Sequence, residues 1–351
     1  MRVVQVTQSY PPSQGGVENH VEAISTRLVE AGHDVTVISA DAGAGKRSET
    51  RDGVVIRRFR SLSPSGAYHF APQVAGAIRS RDPDVVHVHN YHALLLPFAA
   101  FVANDATLIV TPHYHGGSES SFRDRLLQLY HPIGQWVLNR ADVVVAVSNW
   151  ERKQLRADFD IEAEVIPNGI EVDRFSTGEA YNHDRPYLLC VGRLEKYKGV
   201  QHAIRAMTNF PEYDLLIAGS GPYRDQLEDT AEEVNVEDRV RFLGYVSDEN
   251  LPGLYRGAEV FVTLSSFESF GLTVGEALAS RTPCVVLRRG ALVDWEEYEG
   301  VVGVDSPNPE SVRQAVESAR SSDTPIDSIP IWDDHVEKLL EKYQYSQYDG
   351  S

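Results

Sequence analysis

The sequence predicts an α/β fold made of two doubly wound parallel-sheet domains, and three observations carry that expectation. Short β-branched runs alternate with amphipathic stretches from the first residues: RVVQVTQ, then VENHVEAISTRLVEAG, then DVTVISA, and later DVVHVH and DVVVAVS. Such alternation builds βα units that feed a parallel sheet. The pattern pauses at EVIPNGIEVDRF, where Pro167, Asn168 and Gly169 give a turn and a candidate hinge. It restarts with PYLLCVGRL, YDLLIAGSG, RVRFLGYV, AEVFVTLSS and TPCVVLRR. A chain of 351 residues with 42% hydrophobic content is long enough for two cores. The expected domains are 1–168 and 169–330. In the closing segment, 331–351, IWDDHVEKLLEKYQ has apolar residues at helical spacing and an acidic first turn, so it should be a helix. The residues alone leave open which domain it packs on.

Composition narrows the function classes. The balance of 33 basic against 51 acidic residues, −18 overall, argues against broad nucleic-acid binding, which needs clustered cations for phosphates. Lysine is scarce: Lys46, Lys153, Lys196, Lys198, Lys338 and Lys342 are all there are. An acidic surface with arginine favoured over lysine suits solubility in high salt and suggests a halophilic source. Cys190 and Cys284 sit inside apolar runs, which indicates buried free thiols and a reducing cytoplasm. The longest apolar stretch, ALLLPFAAFVA, is too short to span a bilayer and contains Pro97. A cytoplasmic protein is expected, at most peripheral at the inner face of the cell membrane. The segment that could meet anionic lipid is the basic run KRSETRDGVVIRRFRS, with Lys46, Arg47, Arg51, Arg57, Arg58 and Arg60; a solvated hairpin or loop is the other reading.

The candidate sites follow in chain order. In QSYPPSQGGVENHV a strand ends, prolines turn the chain, and Gly15 and Gly16 open a helix whose free amides and positive dipole end can receive an anion. A tight strand-to-helix turn explains the glycines equally well. The G-x-G-x-x-G spacing of a dinucleotide site is absent, against a nicotinamide enzyme. HVHN puts His87 and His89 on one strand face, and TPHYHGG is expected to do the same for His113 and His115. Metals use such spacing, but no acidic or cysteine partner is near in sequence, so polar lining is the preferred reading and no metal is expected.

VGRLEKYKGV is the stronger signal. A buried strand ends at Gly192, and Arg193 and Lys198 emerge in the loop beyond it, where open α/β sheets bind ligands and where two cations suit a diphosphate. In AGSGP, Gly219, Gly221 and Pro222 mark another strand-to-helix turn. SSFESFGLTVGEALAS then joins a buried strand to a helix, with Phe270, Gly271, Leu272 and Thr273 at its amide-rich start. Glu268 precedes that helix and Glu276 lies a turn inside it. Their separation, on the order of 10 Å from helix rise and strand-end geometry, is too long for an acid and base flanking one bond and closer to the span of a sugar, diphosphate and ribose.

Taken in order, GGVENH, TPHYHG, IPNGIEVDRF, VGRLEKYKG, AGSGP, the run from FLGYVSDENL to VGEALAS, and WDDHVEKLL resemble the retaining glycosyltransferases of family 4, with the GT-B arrangement of two Rossmann-like domains facing a central cleft. The resemblance spans nearly the whole chain. It implies that the C-terminal domain holds a nucleotide-diphosphate sugar as donor substrate, without a further cofactor, and that the N-terminal domain holds a sugar, glycan or lipid-linked acceptor. It implies that the terminal helix crosses back onto the N-terminal domain. By the same resemblance Arg193 and Lys198 bind the diphosphate, Glu276 the ribose, and Glu268 lies near the transferred sugar. The backbone of Phe270, Gly271, Leu272 and Thr273 touches sugar hydroxyls and phosphate, Gly16 closes over the diphosphate, and His113 lies beside the sugar.

Two departures from that family's pattern stand out. After TPCVVLRRG the family commonly has a glycine pair and a proline, whereas RRGALVDWEEYEG runs on, and Glu171 stands where aspartate is usual after PNGI. The expected activity is transfer of a hexose from a UDP- or GDP-sugar with retention. The rivals are a nucleotide-sugar epimerase on the same fold, which would convert its donor without an acceptor, and a non-catalytic nucleotide-sugar-binding protein, which would bind without turnover.

Overall fold

The computed structural model describes residues 1–13, 15–41, 43, 47–62, 69–116 and 121–345, with the backbone alone at 121–127 and 345. Lys46 of the basic run and residues 346–351 of the closing segment lie outside the described residues. The chain forms two compact units: Met1–Asn168 together with Trp332–Ser351, and Gly169–Ile331.

The first unit contains strands β1 (Arg2–Thr7), β2 (Asp34–Ser39), β3 (Ser48–Arg51), β4 (Val54–Arg58), β5 (Val85–His89), β6 (Thr107–Thr111), β7 (Val143–Ala146) and β8 (Glu164–Val165). They lie in the order β3-β4-β2-β1-β5-β6-β7-β8. All pairs are parallel except the β3–β4 hairpin. Helices α1 (Gly16–Glu30), α2 (Gln73–Arg79), α3 (Leu96–Val102), α4 (Ser121–Arg140) and α5 (Asn149–Phe159) connect them. The chain steps from β1 outward through β2 and β4, then returns to β5 on the other side, so β1 and β5 flank the point where strand order reverses. Val4, Val6, Val86, Val88 and Val110 build the core under it. A parallel strand covered on both faces needs such near-continuous apolar runs.

The second unit contains α6 (Val172–Ser176), β9 (Tyr187–Val191), α7 (Val200–Ala206), β10 (Asp214–Ala218), α8 (Arg224–Glu233), β11 (Val240–Gly244), α9 (Leu251–Gly257), β12 (Val260–Thr263), α10 (Leu272–Ala279), β13 (Cys284–Leu287), β14 (Val301–Val304) and α11 (Pro309–Ala319). Its six strands are all parallel, in the order β11-β10-β9-β12-β13-β14. Here the order reverses between β9 and β12, and ligands of such sheets bind beyond the carboxyl ends at the reversal. Cys190 and Cys284 are buried free thiols, and burial pushes the Cys190 thiol up to about 12.

The last helix, α12 (Trp332–Tyr345), belongs to the first unit. Arg27 of α1 pairs with Asp333 at 2.8 Å, and Lys342 pairs with Glu164 at 3.2 Å. Deeper, the Tyr343 hydroxyl accepts from Gln5 Nε2 at 3.1 Å and shares a 2.8 Å hydrogen bond with His87 Nδ1. Buried polar groups so paired fix the helix in one register, because leaving one unpaired costs about 1–3 kcal/mol.

The basic run folds largely into the β3–β4 hairpin, and it is not one exposed patch. Arg58 is 3% exposed and ion-paired to Asp41 at 3.0 Å. Its guanidinium also donates to the carbonyls of Tyr10 and Pro11 at 3.0 and 2.5 Å, so it fastens the turn that precedes α1. No helix among the described residues is long and apolar enough to cross a membrane.

Candidate active site

In the second unit the loop after β9 is built by backbone interlock with the loop after β10. Leu194 N donates to Ser220 O at 2.9 Å, and Tyr223 N donates to Leu194 O at 3.0 Å. A Cβ on Gly219 would come within 1.9 Å of Gly192 O, and one on Gly221 within 2.3 Å of Leu194 O. Only glycine allows this approach, so the AGSGP turn serves as the clamp for the segment that presents Arg193 and Lys198.

Lys198 and Glu268 meet at the carboxyl ends of β9 and β12. Their Nζ–Oε1 distance is 2.6 Å, with both side chains largely covered. Burial favours the neutral amine, but the Glu268 carboxylate and the Tyr197 phenol oxygen outweigh it and hold the Lys198 ammonium above its ordinary value. Arg193 lies exposed on the same loop. A cavity at the strand reversal is lined by Gly192, Arg193, Lys198, Thr263 and Glu268.

The backbone of Glu268 is fixed from the segment where the sequence departs from the family pattern. That segment, Gly290–Glu297, is a 3₁₀ helix in which Ala291 N donates to Glu268 O at 2.9 Å. Trp295 Nε1 donates to the Phe270 carbonyl at 2.6 Å. Gly271 heads α10 with φ 92°, a left-handed conformation that glycine takes without a Cβ penalty, and a Cβ there would meet Leu292 at 3.0 Å and the Trp295 indole at 3.2 Å. The first amides of α10, at Leu272 and Thr273, lack carbonyl partners within the helix and add the positive end of its dipole. One turn on, Glu276 accepts from the Tyr255 hydroxyl at 2.8 Å. Burial raises its carboxyl, opposed by that hydrogen bond and by Arg174.

In the first unit Gly16 begins α1 after Gly15, and the Glu18 carboxylate folds back against Gly15 while accepting from Ser9 Oγ. His113 and His115 do not share a strand face as expected. β6 ends at Thr111, Pro112 lacks the amide needed to extend the ladder, and His113 turns the chain with φ 48°. His113 goes inward to His20, with ring centroids 4.7 Å apart, whereas His115 lies against His92. Thus Gly16 and His113 are joined through α1, which carries His20.

His20, His89 and His113 each place a ring nitrogen within 4.8 Å of the others'. Both ring nitrogens of His20, Nδ1 of His89 and Nε2 of His113 have no hydrogen-bond partner among the described residues. Burial, with repulsion from neighbouring histidines that include His335, keeps all three neutral, His113 down to about 3. Neutral imidazoles are what a zinc-like ion requires, and these three are the residues that could hold one. No carboxylate or thiolate joins the group among the described residues.

His20, Tyr255 and Trp295 escape sequence reasoning because their roles are set by contacts made across the fold. The signal for His20 was present in GGVENH, four residues into the helix that Gly16 opens.

Comparison with known proteins covers both units. The family model described as Glycosyltransferase Family 4 matches residues 14–174, and that of Glycosyl transferases group 1 matches residues 172–325. The chain belongs to this glycosyltransferase family and is an enzyme of that class. It is 30% identical to a glycogen synthase of Mycobacterium tuberculosis over 83% of this chain and 79% of that one. An uncharacterized glycosyltransferase of Methanocaldococcus jannaschii is 29% identical over 92% and 89%. A GDP-mannose-dependent alpha-(1-6)-phosphatidylinositol monomannoside mannosyltransferase of Mycolicibacterium smegmatis is 28% identical over 89% and 87%. Among solved structures, sucrose-phosphate synthase from Thermosynechococcus elongatus superposes with a TM-score of 0.78 at 20% identity, covering 99% of this chain and 100% of that one. That likeness establishes the GT-B fold.

Proposed function

We propose that the chain is a retaining glycosyltransferase that moves a hexose from a UDP- or GDP-sugar to a hydroxyl of a glycan or lipid-linked acceptor. The observation that carries this reading is the Lys198–Glu268 pair at the β9/β12 reversal, beside Arg193 and the glycine-opened start of α10. An ammonium already paired with a carboxylate can exchange that partner for a phosphate oxygen. Donor binding frees Glu268 to turn toward the sugar while Lys198 takes the diphosphate.

The bond between the anomeric carbon and the diphosphate oxygen then breaks. Negative charge grows on the leaving diphosphate, which Lys198, Arg193 and the α10 amides stabilise as it develops. The acceptor oxygen bonds the anomeric carbon on the face the leaving group vacates. Its proton passes to a phosphate oxygen, so the bonding is balanced without a protein nucleophile. Glu276, held by Tyr255, suits the ribose hydroxyls, and neutral His113 suits a hydroxyl of the sugar. Gly16 allows the diphosphate to approach the start of α1. Relatives named as a glycogen synthase and as a phosphatidylinositol monomannoside mannosyltransferase support both acceptor classes.

A panel of nucleotide sugars, scored for thermal stabilisation and then for nucleotide release with and without acceptor, tests this. A ligand raises stability as RT ln(1 + [L]/Kd), so a fitting donor at 100 times its Kd adds about 2.7 kcal/mol. No stabilisation by any UDP- or GDP-sugar would sink the donor reading. An inverted anomeric product would sink the retaining one.

A further inference from the structure

We infer that Glu151 is a positioning residue that sets the turn carrying His113. The inference rests on the reading that His113 lies beside the transferred sugar. Ser148-Asn149-Trp150-Glu151 has the S-x-x-E pattern of a capping box, in which the acid would reach back to the amide of its own N-cap residue. One half of that box is present: Glu151 N donates to Ser148 Oγ at 3.0 Å. The carboxylate, however, is diverted. Its Oε2 accepts from Val147 N at 2.7 Å, and its Oε1 accepts from Tyr114 N at 2.5 Å, 37 residues away in the loop after β6.

Glu151 is 0% exposed. Burial raises its carboxyl, and the groups that oppose this, by favouring the ionised form with two acceptor oxygens, are the Val147 and Tyr114 amides. A buried acid without a counter-ion among the described residues is a costly way to cap a helix, and a glutamine there would turn an N–H against one of the two donors. Two acceptor oxygens at one point are what this site needs.

The need lies in the loop. His113 has φ 48°, a conformation costly for a residue with a Cβ and held only where its surroundings over-determine it. The chain is gripped on both sides of it: Tyr91 N donates to Pro112 O at 2.7 Å, and Tyr114 N is held by Glu151. The Tyr114 hydroxyl adds a 2.8 Å hydrogen bond to Asp158, also on α5. Release of the Tyr114 amide lets the His113 turn relax toward ordinary backbone and carries the imidazole away from the position it holds against His20.

The test compares Glu151→Gln, Ser148→Ala and His113→Ala in the full chain. Glu151→Gln is expected to lower kcat about 10- to 100-fold at saturating donor and acceptor, as a small misplacement of a positioned group does, with donor KM within about threefold of wild type. Ser148→Ala disturbs the same helix end and should lower Tm by about 2–4 °C while keeping kcat. In the His113→Ala background, Glu151→Gln should cause no further loss of kcat. Unchanged kcat in Glu151→Gln, equal kcat losses in Glu151→Gln and Ser148→Ala, or an additive loss in the double variant would each overturn the inference. Full activity of His113→Ala would overturn it together with the reading beneath it. Should Glu151→Gln not fold, hydrogen exchange of the wild type decides: a protected Tyr114 amide supports the assignment, and exchange at the rate of a free loop amide overturns it.

Discussion

The two units reverse their strand order in the same way, yet opposite kinds of polar group gather at the carboxyl ends of their sheets. In the first unit His20, His87, His89 and His113, with His335 from the last helix, are buried as neutral rings. In the second unit Arg193, the Lys198–Glu268 ion pair and a glycine-opened helix stand in the same topological place. Neutral donors and acceptors suit hydroxyl groups, and preorganised cations suit phosphate. On the proposed function, one architecture serves two chemistries through a few side chains at the strand reversal. The difference also sets distinct weaknesses. The first unit is exposed to acid, because its buried rings have no counter-ions among the described residues, whereas the second has a charge pair that, on the proposed function, the donor separates.

The largest effect should come from removing the cation. Lys198→Ala is expected to lower kcat/KM about 100- to 1,000-fold, the loss of roughly 2.7–4 kcal/mol seen when one preorganised donor to a developing anion is deleted. Arg193 is exposed and its charge is more screened, so Arg193→Ala should cost less. Steady-state kinetics with the best donor from the panel would measure both. Full activity in both variants would remove the phosphate half of the contrast.

Acid should next separate the units. Burial lowers His92 and His113 to about 3 and His335 to about 4, against an unfolded value of 6.5. As pH falls below 6.5 the unfolded chain binds protons that the folded first unit refuses until pH 4 to 3. Stability is therefore present above 6.5 and drains away through that window, by about 1.4 kcal/mol per histidine per pH unit. Hydrogen exchange at pH 5 against pH 7, compared at equal intrinsic exchange rate, should show the first unit losing protection before the second. Equal loss in both would break the contrast.

Within the second unit, Gly271→Ala places a Cβ in left-handed backbone and against Leu292 and Trp295. It should destabilise by about 1–2 kcal/mol, read as a lower denaturant midpoint at unchanged m-value. It should also weaken donor binding, since it tilts the first amides of α10. Wild-type stability in this variant would mean that Gly271 serves neither role.

How far these features could be read in advance depended on their range in sequence. The alternation of β-branched and amphipathic runs gave β1, β2, β5, β7 and β9 to β13; all but the edge strand β11 are largely covered on both faces and so write their burial into consecutive residues. TPHYHGG misled, since spacing cannot show that Pro112 ends a ladder and His113 turns left-handed. At the candidate site the residue types at the strand ends were legible. Their pairing was not: Lys198 and Glu268 lie 70 residues apart and Tyr114 and Glu151 lie 37 apart, and only the wound topology brings them together. Glu151 had no reading from the sequence at all: its local capping-box pattern is satisfied on one side only, and its second partner is remote.

The smallest expected effect concerns the other acid of the second unit. The Tyr255 hydroxyl, itself buried, donates to Glu276 Oε2 and leaves the carboxylate one orientation. Tyr255→Phe keeps the ring in its packing against Phe175 and Phe261 and removes only that donor, which should cost about 1 kcal/mol of stability. Without the hydrogen bond, burial should raise the Glu276 carboxyl further, since the hydroxyl is the first of the groups that oppose it. If Glu276 holds the ribose as an anion, donor KM should rise a fewfold, the scale of one such hydrogen bond, while kcat stays near wild type. The rise should be larger at low pH, where the carboxyl takes up a proton sooner. A fall in kcat at constant KM would place Glu276 nearer the reacting carbon than the ribose, and would give the second unit two acids engaged in the chemistry.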